Sequence, residues 1–234
     1  MLKINNRRKK PSAHFLIITL SCVIAAALNQ YLSISTIFKL MIPLFLDTIF
    51  TAAVTFSFGL IPGLVTAFLT WLFSFLGTLD ISVFKNPLFI LRMGEPSPFF
   101  ICSIAEVFLI WRLKPTTQIK LIRANDDRIL AENISVLARL MLLYISASVI
   151  ISVLGGLVDY IYYTLLPISK GHISAEDVYK ADIQQNLFPV PVMNILSRLP
   201  INLVDRFFVI FGGYFISLFI SQKMGKLIFN KRLS

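Results

Sequence analysis

The amino-acid sequence predicts an all-α fold, an integral membrane bundle of six helices. Hydrophobic residues make up 56% of the 234 residues and charged residues only 15%, whereas an average soluble domain has about 25% charged residues. About six stretches between Phe15 and Ile220 are apolar enough and long enough to cross a bilayer. The Lys and Arg residues lie almost wholly on one side of the alternation that these stretches define.

The distribution of positive charge also predicts the topology. Basic residues are concentrated in a tail at 1–13, in a loop at 114–133 and in a second tail at 223–234. Because Lys and Arg that flank short loops bias insertion, we expect both termini and this loop in the cytoplasm, and the chain in the cell (inner or plasma) membrane. Topology therefore explains the net charge of +10, since the basic residues border apolar spans and do not interleave with exposed aromatic residues as on nucleic-acid-binding surfaces.

A single transmembrane domain is expected over 14–222, between the two tails. Since no segment is left for a soluble catalytic domain, we predict that the chain is not an enzyme and that any ATPase, kinase or hydrolase activity belongs to another chain. The sequence has no His-Glu-x-x-His, no Gly-x-Ser-x-Gly elbow, no Walker loop and no Gly-x-Gly-x-x-Gly. It predicts neither a cofactor nor a metal site.

The first span is expected at 14–32, after the basic tail. A cleaved signal peptide is the alternative, because Ala25-Ala26-Ala27 offers a small-residue cleavage site after a basic and then apolar run. A retained span is favoured, since the apolar run continues to Leu28 and Tyr31.

The second and third spans, at 40–58 and 62–77, are predicted to form a tight hairpin. The sequence Gly59-Leu-Ile-Pro-Gly63 would supply the turn, because glycine and proline are disfavoured in a helix interior. Small and hydroxyl side chains on both spans would let the helices approach closely. These residues are Ala52, Thr55, Gly63, Thr66, Ala67 and Thr70.

The remaining spans are expected at 97–113, 134–157 and 200–221. The cytoplasmic loop 114–133 joins the fourth span to the fifth, and an outer loop at 166–189 joins the fifth to the sixth and is long enough to act as a lid. The sixth span belongs to an apolar stretch that begins at Val190 and is interrupted by Pro191 and Pro200.

Ionisable side chains within or near the spans are the main candidates for functional residues in this sequence. A charge at mid-bilayer costs about 2.5–3.5 kcal/mol on insertion scales, so such groups usually face protein or water and often bind or relay something. These residues are Asp47, Glu106, Arg139, Arg198, Asp205 and Arg206.

A structural role competes with binding at each of these charges. Asp47 and Glu106 lie deep, and for them pairing with an arginine that holds the bundle together is favoured. Arg139 is close to the inner end of its span, so we expect its side chain to snorkel to the headgroups. Binding and structural roles are equally supported for Asp205 and Arg206, which lie near the outer edge of the hydrocarbon, where a substrate would arrive.

Two groups of residues carry a family resemblance. Leu46-Asp47-Thr48 is followed by Ala52-Ala53 and then by Phe58-Gly59-Leu-Ile-Pro-Gly63. Asn202-Leu-Val-Asp205-Arg206 begins the last span and is followed by Gly212-Gly213. With six short spans, these motifs resemble the substrate-binding S components of energy-coupling factor (ECF) transporters.

The resemblance implies that the chain captures a small water-soluble molecule such as a vitamin, or a metal ion, for uptake. S components hold their substrate at the outer side of the bundle and dock through their first helices, often with an Ala-x-x-x-Ala face, on a transmembrane coupling subunit with two ATPases. Here Ser21-x-x-x-Ala25 and Cys22-x-x-x-Ala26 would form that face.

By the same resemblance, the substrate site would lie near the outer loop 33–39, the tip of the fifth span and the start of the sixth, with loops 33–39 and 166–189 as lids. Its candidate residues are Arg198, Asn202, Asp205 and Arg206, with Tyr160 and Tyr163 as stacking groups. The two tyrosines could also be ordinary interface anchors, which their position favours. Paired arginines would suit an anionic ligand and Asn with Tyr a neutral ring, and both remain open.

Two other classes of function remain open. A membrane sensor or signalling module without its own catalytic domain would pass a change to an inner-side partner through the 112–133 loop. A structural or assembly factor would use the intramembrane charges only to hold its helices together.

Overall fold

The computed structural model describes residues 13–34, 46–77, 99–119, 127–161 and 188–230. Within these ranges the secondary structure is helical and contains no strand, so the predicted all-α class is confirmed. The helices are α1 (Ala13–Ile34), α2 (Ile49–Phe58), α3 (Leu60–Gly77), α4 (Phe100–Leu113), α5 (Asp127–Asp159), α6 (Val190–Phe207) and α7 (Gly213–Asn230). A π-helical segment, Phe208–Gly212, joins α6 to α7 without a break, so the described residues form six helical units.

Three helical stretches are long and apolar enough to cross a membrane: Phe15–Ser33, Arg128–Asp159 and Val190–Ser221. By contrast, α2 has 10 residues. At about 1.5 Å per residue it is roughly 15 Å long, half the thickness of a hydrocarbon core. Length and composition therefore support three of the six predicted spans.

The hairpin of α2 and α3 differs in detail from the prediction. Residues 46–48 precede α2 as a turn, so the predicted span at 40–58 is helical only from Ile49 within the described residues. The chain turns at Gly59 alone, with φ 93° and ψ −163°, a conformation that glycine adopts without steric cost. Pro62 lies in the first turn of α3, where its missing N–H is not needed.

The later helices are longer than the sequence predicts. The α5 helix begins at Asp127 and not at 134, so the last seven residues of the predicted 114–133 loop are helical. The last unit begins at Val190 and not at 200, and it continues through Pro200 to Asn230. Outside the described residues lie 1–12, 35–45, 78–98, 120–126, 162–187 and 231–234, which include most of the two predicted lids.

The core lies between α2, α4, α5, the π-helical segment and α7. Its central buried side chains are Ala52, Ile110, Val136, Leu140, Leu143, Val209, Ile210 and Tyr214. Two glycines allow the backbones of neighbouring helices to approach closely. A Cβ atom on Gly156 would lie 2.7 Å from the backbone nitrogen of Ile195, and one on Gly213 would lie 2.7 Å from the Cβ of Ala52. The absence of a side chain at these glycines therefore lets the backbone of α5 pack directly on α6, and that of α7 on α2.

The small residues of α1 face the chain's own helices. Cys22, Ala25, Ala26 and Asn29 are buried, and their spacing places them on one face, which packs on α2 and α3. The two predicted docking pairs are therefore covered by the bundle, because Ala25 and Ala26 belong to this inner face. The opposite face of α1 is apolar and exposed at Phe15, Leu16, Leu20, Ile24, Leu28 and Tyr31.

Candidate functional site

The polar face of α6 is the main chemical feature of the described bundle. Polar residues recur at intervals of three or four positions, which places them on one side of the helix. Most are buried, whereas Leu203, Val204 and Phe207 on the other side are exposed. This polar face consists of Asn194, Ser197, Arg198, Asn202, Asp205 and Arg206. The helix thus turns its polar side toward the protein and its apolar side outward, the reverse of a helix on a soluble protein.

Arg206 is the centre of a buried network of charges. Its Nη1 donates to Glu106 Oε2 at 2.6 Å and to Thr48 Oγ1 at 2.9 Å. Its Nη2 donates to Asp205 and lies 3.9 Å from Asp47 Oδ1. Glu106 and Asp205 are fully buried, whereas the side chain of Asp47 is 42% exposed. The sequence-based pairing of Asp47 and Glu106 with an arginine is thus present in the structure.

The network joins three distant segments of the chain. Asp205 Oδ1 accepts a hydrogen bond from the backbone N–H of Leu46 at 2.9 Å, which fixes the turn before α2 against α6. Glu106 brings in the middle of α4. Because buried charge-assisted hydrogen bonds are among the strongest polar contacts, the network fixes the relative positions of these segments.

The network has more negative than positive groups, and some of its buried polar atoms have no hydrogen-bond partner among the described residues. Three carboxylates, those of Asp47, Glu106 and Asp205, surround the single guanidinium of Arg206. Among the described residues, Glu106 Oε1 and Arg206 Nε have no hydrogen-bond partner although both atoms are buried. A buried polar atom without a partner costs about 1–3 kcal/mol, so the network retains an acceptor and a donor for a further polar group.

A second ion pair lies about two helical turns before the first. Arg198 Nε donates to Asp159 Oδ2 at 3.0 Å, and the Arg198 guanidinium stacks over the Phe99 ring with 4.8 Å to its centroid. A Cβ atom on Gly155 would lie 2.9 Å from Arg198 Nη1, so the missing side chain of Gly155 makes room for the guanidinium. Asp159 was not among the sequence-predicted site residues, although an acid at the end of an apolar span was a usable signal.

Asn202 lies between the two charged sites along α6 and forms neutral hydrogen bonds to α5. Its Nδ2 donates to Ser152 Oγ at 3.0 Å, and its backbone carbonyl oxygen accepts from Ser148 Oγ at 3.4 Å. Both serines lie one turn apart on α5 and are buried. The polar face of α6 is therefore matched by a polar strip of α5, which sequence reasoning did not identify.

The structure brings together most of the predicted site residues. Arg198, Asn202, Asp205 and Arg206 share the polar face, and Asp47 and Glu106 join it at Arg206. Tyr160 directly follows Asp159, at the end of the bundle where Arg198 lies. Tyr163 lies outside the described residues, as does most of each predicted lid. Arg139 does not join the network, since it is exposed on α5 toward the opposite end of the bundle.

A separate polar cluster surrounds Asn29 of α1. Its Nδ2 donates to Thr51 Oγ1 at 2.8 Å and to Thr70 Oγ1 at 3.1 Å, and its Oδ1 accepts from the Phe50 N–H at 2.9 Å. The Asn29 amide is thus bonded on both its nitrogen and its oxygen by α2 and α3. The cluster fixes the start of α2, which has no side-chain cap of its own, and it gives no sign of a ligand.

No group of three or more His, Cys, Asp and Glu side chains in the described ranges has an arrangement suited to a metal ion. Comparison with known proteins adds no relative, since no protein-family model, curated protein or solved structure matches the chain.

Proposed function

We propose that the chain is a membrane-embedded capture subunit that binds a small, vitamin-like molecule at the polar face of α6, for uptake energised by ATPase subunits on other chains. The observation that carries the proposal is the polar face itself, which is buried inside a bundle with three helical stretches apolar enough to cross a membrane. Ionisable groups in such surroundings are expensive and commonly mark a substrate path.

The imbalance of the Arg206 network favours binding over a purely structural role. A network that served only to hold helices together would be expected to balance its charges and satisfy its buried atoms. Here three carboxylates share one guanidinium, and Glu106 Oε1 and Arg206 Nε are left without partners among the described residues. A polar group of a substrate could satisfy both atoms.

The proposed topology places this site toward the outside of the cell, with both termini in the cytoplasm. From Ser221 back to Arg206 the helical rise is roughly 22 Å, at about 1.5 Å per residue. With Ser221 near the inner boundary, Arg206 lies in the outer part of a hydrocarbon core about 30 Å thick, and Arg198 lies roughly 12 Å further out. A substrate from outside would meet Arg198 and Tyr160 first, then Asn202, and finally the Arg206 network.

The proposed mechanism is capture followed by partner-driven reorientation. A transmembrane coupling subunit with its ATPases would drive the inward release of the bound molecule. The buried small-residue face of α1 does not serve as the docking surface in this proposal. The exposed apolar face of α1, which carries Leu16, Leu20 and Ile24, takes that role.

The experiment is a thermal-shift screen of the purified chain in detergent against water-soluble vitamins and metal ions. We expect at least one compound to raise the melting temperature, because a ligand that binds only the folded state stabilises it by mass action. A folded sample that shifts with none of them would refute the capture function. If a kinase copurifies from the native membrane and no coupling subunit does, the result favours a sensing function over transport.

A matched pair of variants separates binding from stability. Asn202→Ala removes an amide from the polar face of α6, and Asn29→Ala removes one from the cluster at α1. Both asparagines are buried and donate to hydroxyl groups, so both variants should lower the melting temperature. We expect Asn202→Ala to lose the ligand-dependent shift and Asn29→Ala to retain it. If both variants keep the ligand-dependent shift equally, the ligand does not bind at the polar face of α6.

A further inference from the structure

A basic groove lies at the end of the bundle opposite the Arg198–Asp159 pair. It has a volume of about 530 Å³ and is formed by the last turn of α2, the end of α4, the segment that follows it, α5 and α7. Among the residues that the structure describes, its lining includes the cations of Arg112, Lys114 and Arg139 and no carboxylate. The groove therefore concentrates three positive charges.

The three cations are not neutralised by other described side chains. Neither Arg112, Lys114 nor Arg139 forms an ion pair within the part of the chain that the structure describes, whereas Arg198 and Arg206 do. Arg112 and Arg139 are exposed. Cations brought together without a counter-charge repel one another, so the groove favours an anion.

One wall of the groove is fixed by hydrogen bonds. The N–H of Ile119 donates to Tyr214 Oη at 3.1 Å, and the N–H of Lys114 donates to the carbonyl oxygen of Ile110 at 2.9 Å. These bonds hold the 114–119 segment against α7 and α4. The groove is thus a formed feature of the bundle that needs little rearrangement to bind an anion.

The remaining lining is part hydroxyl and part apolar. Hydroxyl groups come from Ser57, Thr116, Thr117, Tyr214, Ser217 and Ser221. Apolar surface comes from Phe56, Trp111 and Leu218, and Phe108, Leu142 and Phe215 are exposed on the same helices. A charged pocket that borders exposed apolar helix surface matches a molecule with an anionic head and hydrocarbon chains.

We propose that this groove binds the phosphate group of an anionic phospholipid, with the acyl chains along the exposed apolar faces of α4 and α5. Arg112 and Arg139 can bind phosphate oxygens through two parallel N–H donors each, and Lys114 adds a point charge. Hydroxyl groups such as those of Thr116 and Thr117 can complete the hydrogen bonding of the headgroup. The inference does not depend on the proposed substrate site, which lies on the polar face of α6, away from the residues that line the groove.

The experiment is native mass spectrometry of the full-length protein with phosphatidylglycerol and, separately, with phosphatidylcholine. Each basic residue near a membrane surface contributes about fivefold to the binding of anionic lipid, so the variant Arg112→Gln/Lys114→Gln/Arg139→Gln should lose phosphatidylglycerol affinity about 100-fold. The matched control, Arg7→Gln/Arg8→Gln/Lys9→Gln, removes the same charge from the amino-terminal tail and should lose much less phosphatidylglycerol affinity, because losing surface attraction alone weakens binding less than losing contacts to the phosphate.

The outcomes separate the source of the phosphate. A large loss in the groove variant alone, with weak phosphatidylcholine binding, supports the proposal. Equal losses in both variants would show that general surface charge attracts the lipid, and this would overturn it. Glycerol 3-phosphate competing as strongly per molecule as phosphatidylglycerol would identify a site for soluble phosphate compounds and would also overturn it. Unchanged melting temperatures of both triple variants check that each is folded.

Discussion

Replacing Arg206 by methionine should destabilise the bundle more than any other single change to the polar face of α6. The substitution removes the hydrogen bonds to Glu106, Asp205 and Thr48 and the nearby charge that offsets Asp47. Methionine keeps much of the length of the side chain, so the change tests charge and hydrogen bonding more than volume.

The magnitude follows from what Arg206 leaves behind. Glu106 and Asp205 are 1% and 0% exposed, so their carboxylates cannot turn to water when the guanidinium is gone. Breaking one buried ion pair by removing one partner costs about 3–5 kcal/mol. With two buried carboxylates losing the same partner, we expect Arg206→Met to reach at least the upper part of that range.

A double variant makes the reasoning testable by thermal or chemical denaturation in detergent. Glu106→Gln/Arg206→Met removes a buried carboxylate together with its partner, and it should recover about 0.5–3 kcal/mol of the loss, the usual coupling for groups in one network. The matched control Arg139→Met removes an exposed arginine without an ion pair among the described residues and should change stability little. If Arg206→Met unfolds at the same temperature as the wild type, the buried network does not hold α6, α4 and the turn before α2 together.

The other predictions concern separate contacts of the bundle. Gly156→Ala should destabilise the fold by about 1–3 kcal/mol, because the added Cβ would lie 2.7 Å from the Ile195 nitrogen. Gly59→Ala adds a Cβ that meets nothing within 4 Å but strains a backbone with φ +93°. Denaturation of the two variants side by side tests whether crowding or backbone strain costs more stability. Asn29→Ala should cost about 1–3 kcal/mol, measured in the same way, since it leaves the Phe50 N–H without its acceptor, and an unchanged stability would contradict the role given to this cluster. Asp159→Asn should weaken the ion pair with Arg198 and increase amide hydrogen exchange at the start of α6, while exchange at α1 stays as in the wild type. If exchange in α6 does not increase relative to α1, the Arg198–Asp159 pair does not order α6.

Hydropathy was sufficient to predict the helical class and the approximate positions of most helices. The first span was expected at 14–32 and α1 is Ala13–Ile34, because an unbroken apolar run determines such a helix. The start of α5 was missed by seven residues because Asp127, Arg128 and Glu132 are charged, and a hydropathy criterion does not register a helix that continues out of its apolar part. Pro200 was expected to interrupt the last stretch, yet α6 continues through it, packed on α5 by the contact at Gly156.

The candidate site was predictable in its residues but not in its pairings. Charged residues are so rare in the spans that Arg198, Asp205, Arg206, Glu106 and Asp47 could be selected directly from the sequence. Which carboxylate meets which arginine depends in some cases on contacts between residues more than 100 positions apart, as between Asp47 and Arg206, and no periodicity in a single sequence encodes them. Ser148 and Ser152 were missed because only the packing of α5 on α6 pairs them with Asn202, whereas the signal at Asp159, an acid at the end of an apolar span, was not used.

Photo-crosslinking of a hit from the ligand screen tests the central claim most directly, because it reports where the molecule binds. A derivative that carries a photoreactive group is bound to the wild-type protein, irradiated, and the modified peptides are identified by mass spectrometry. We predict modification within residues 194–206 of α6 and at the facing residues 148–159 of α5, reduced by an excess of the unmodified compound. Modification confined to α1, or to the basic groove around Arg112, would contradict a binding site at the polar face of α6.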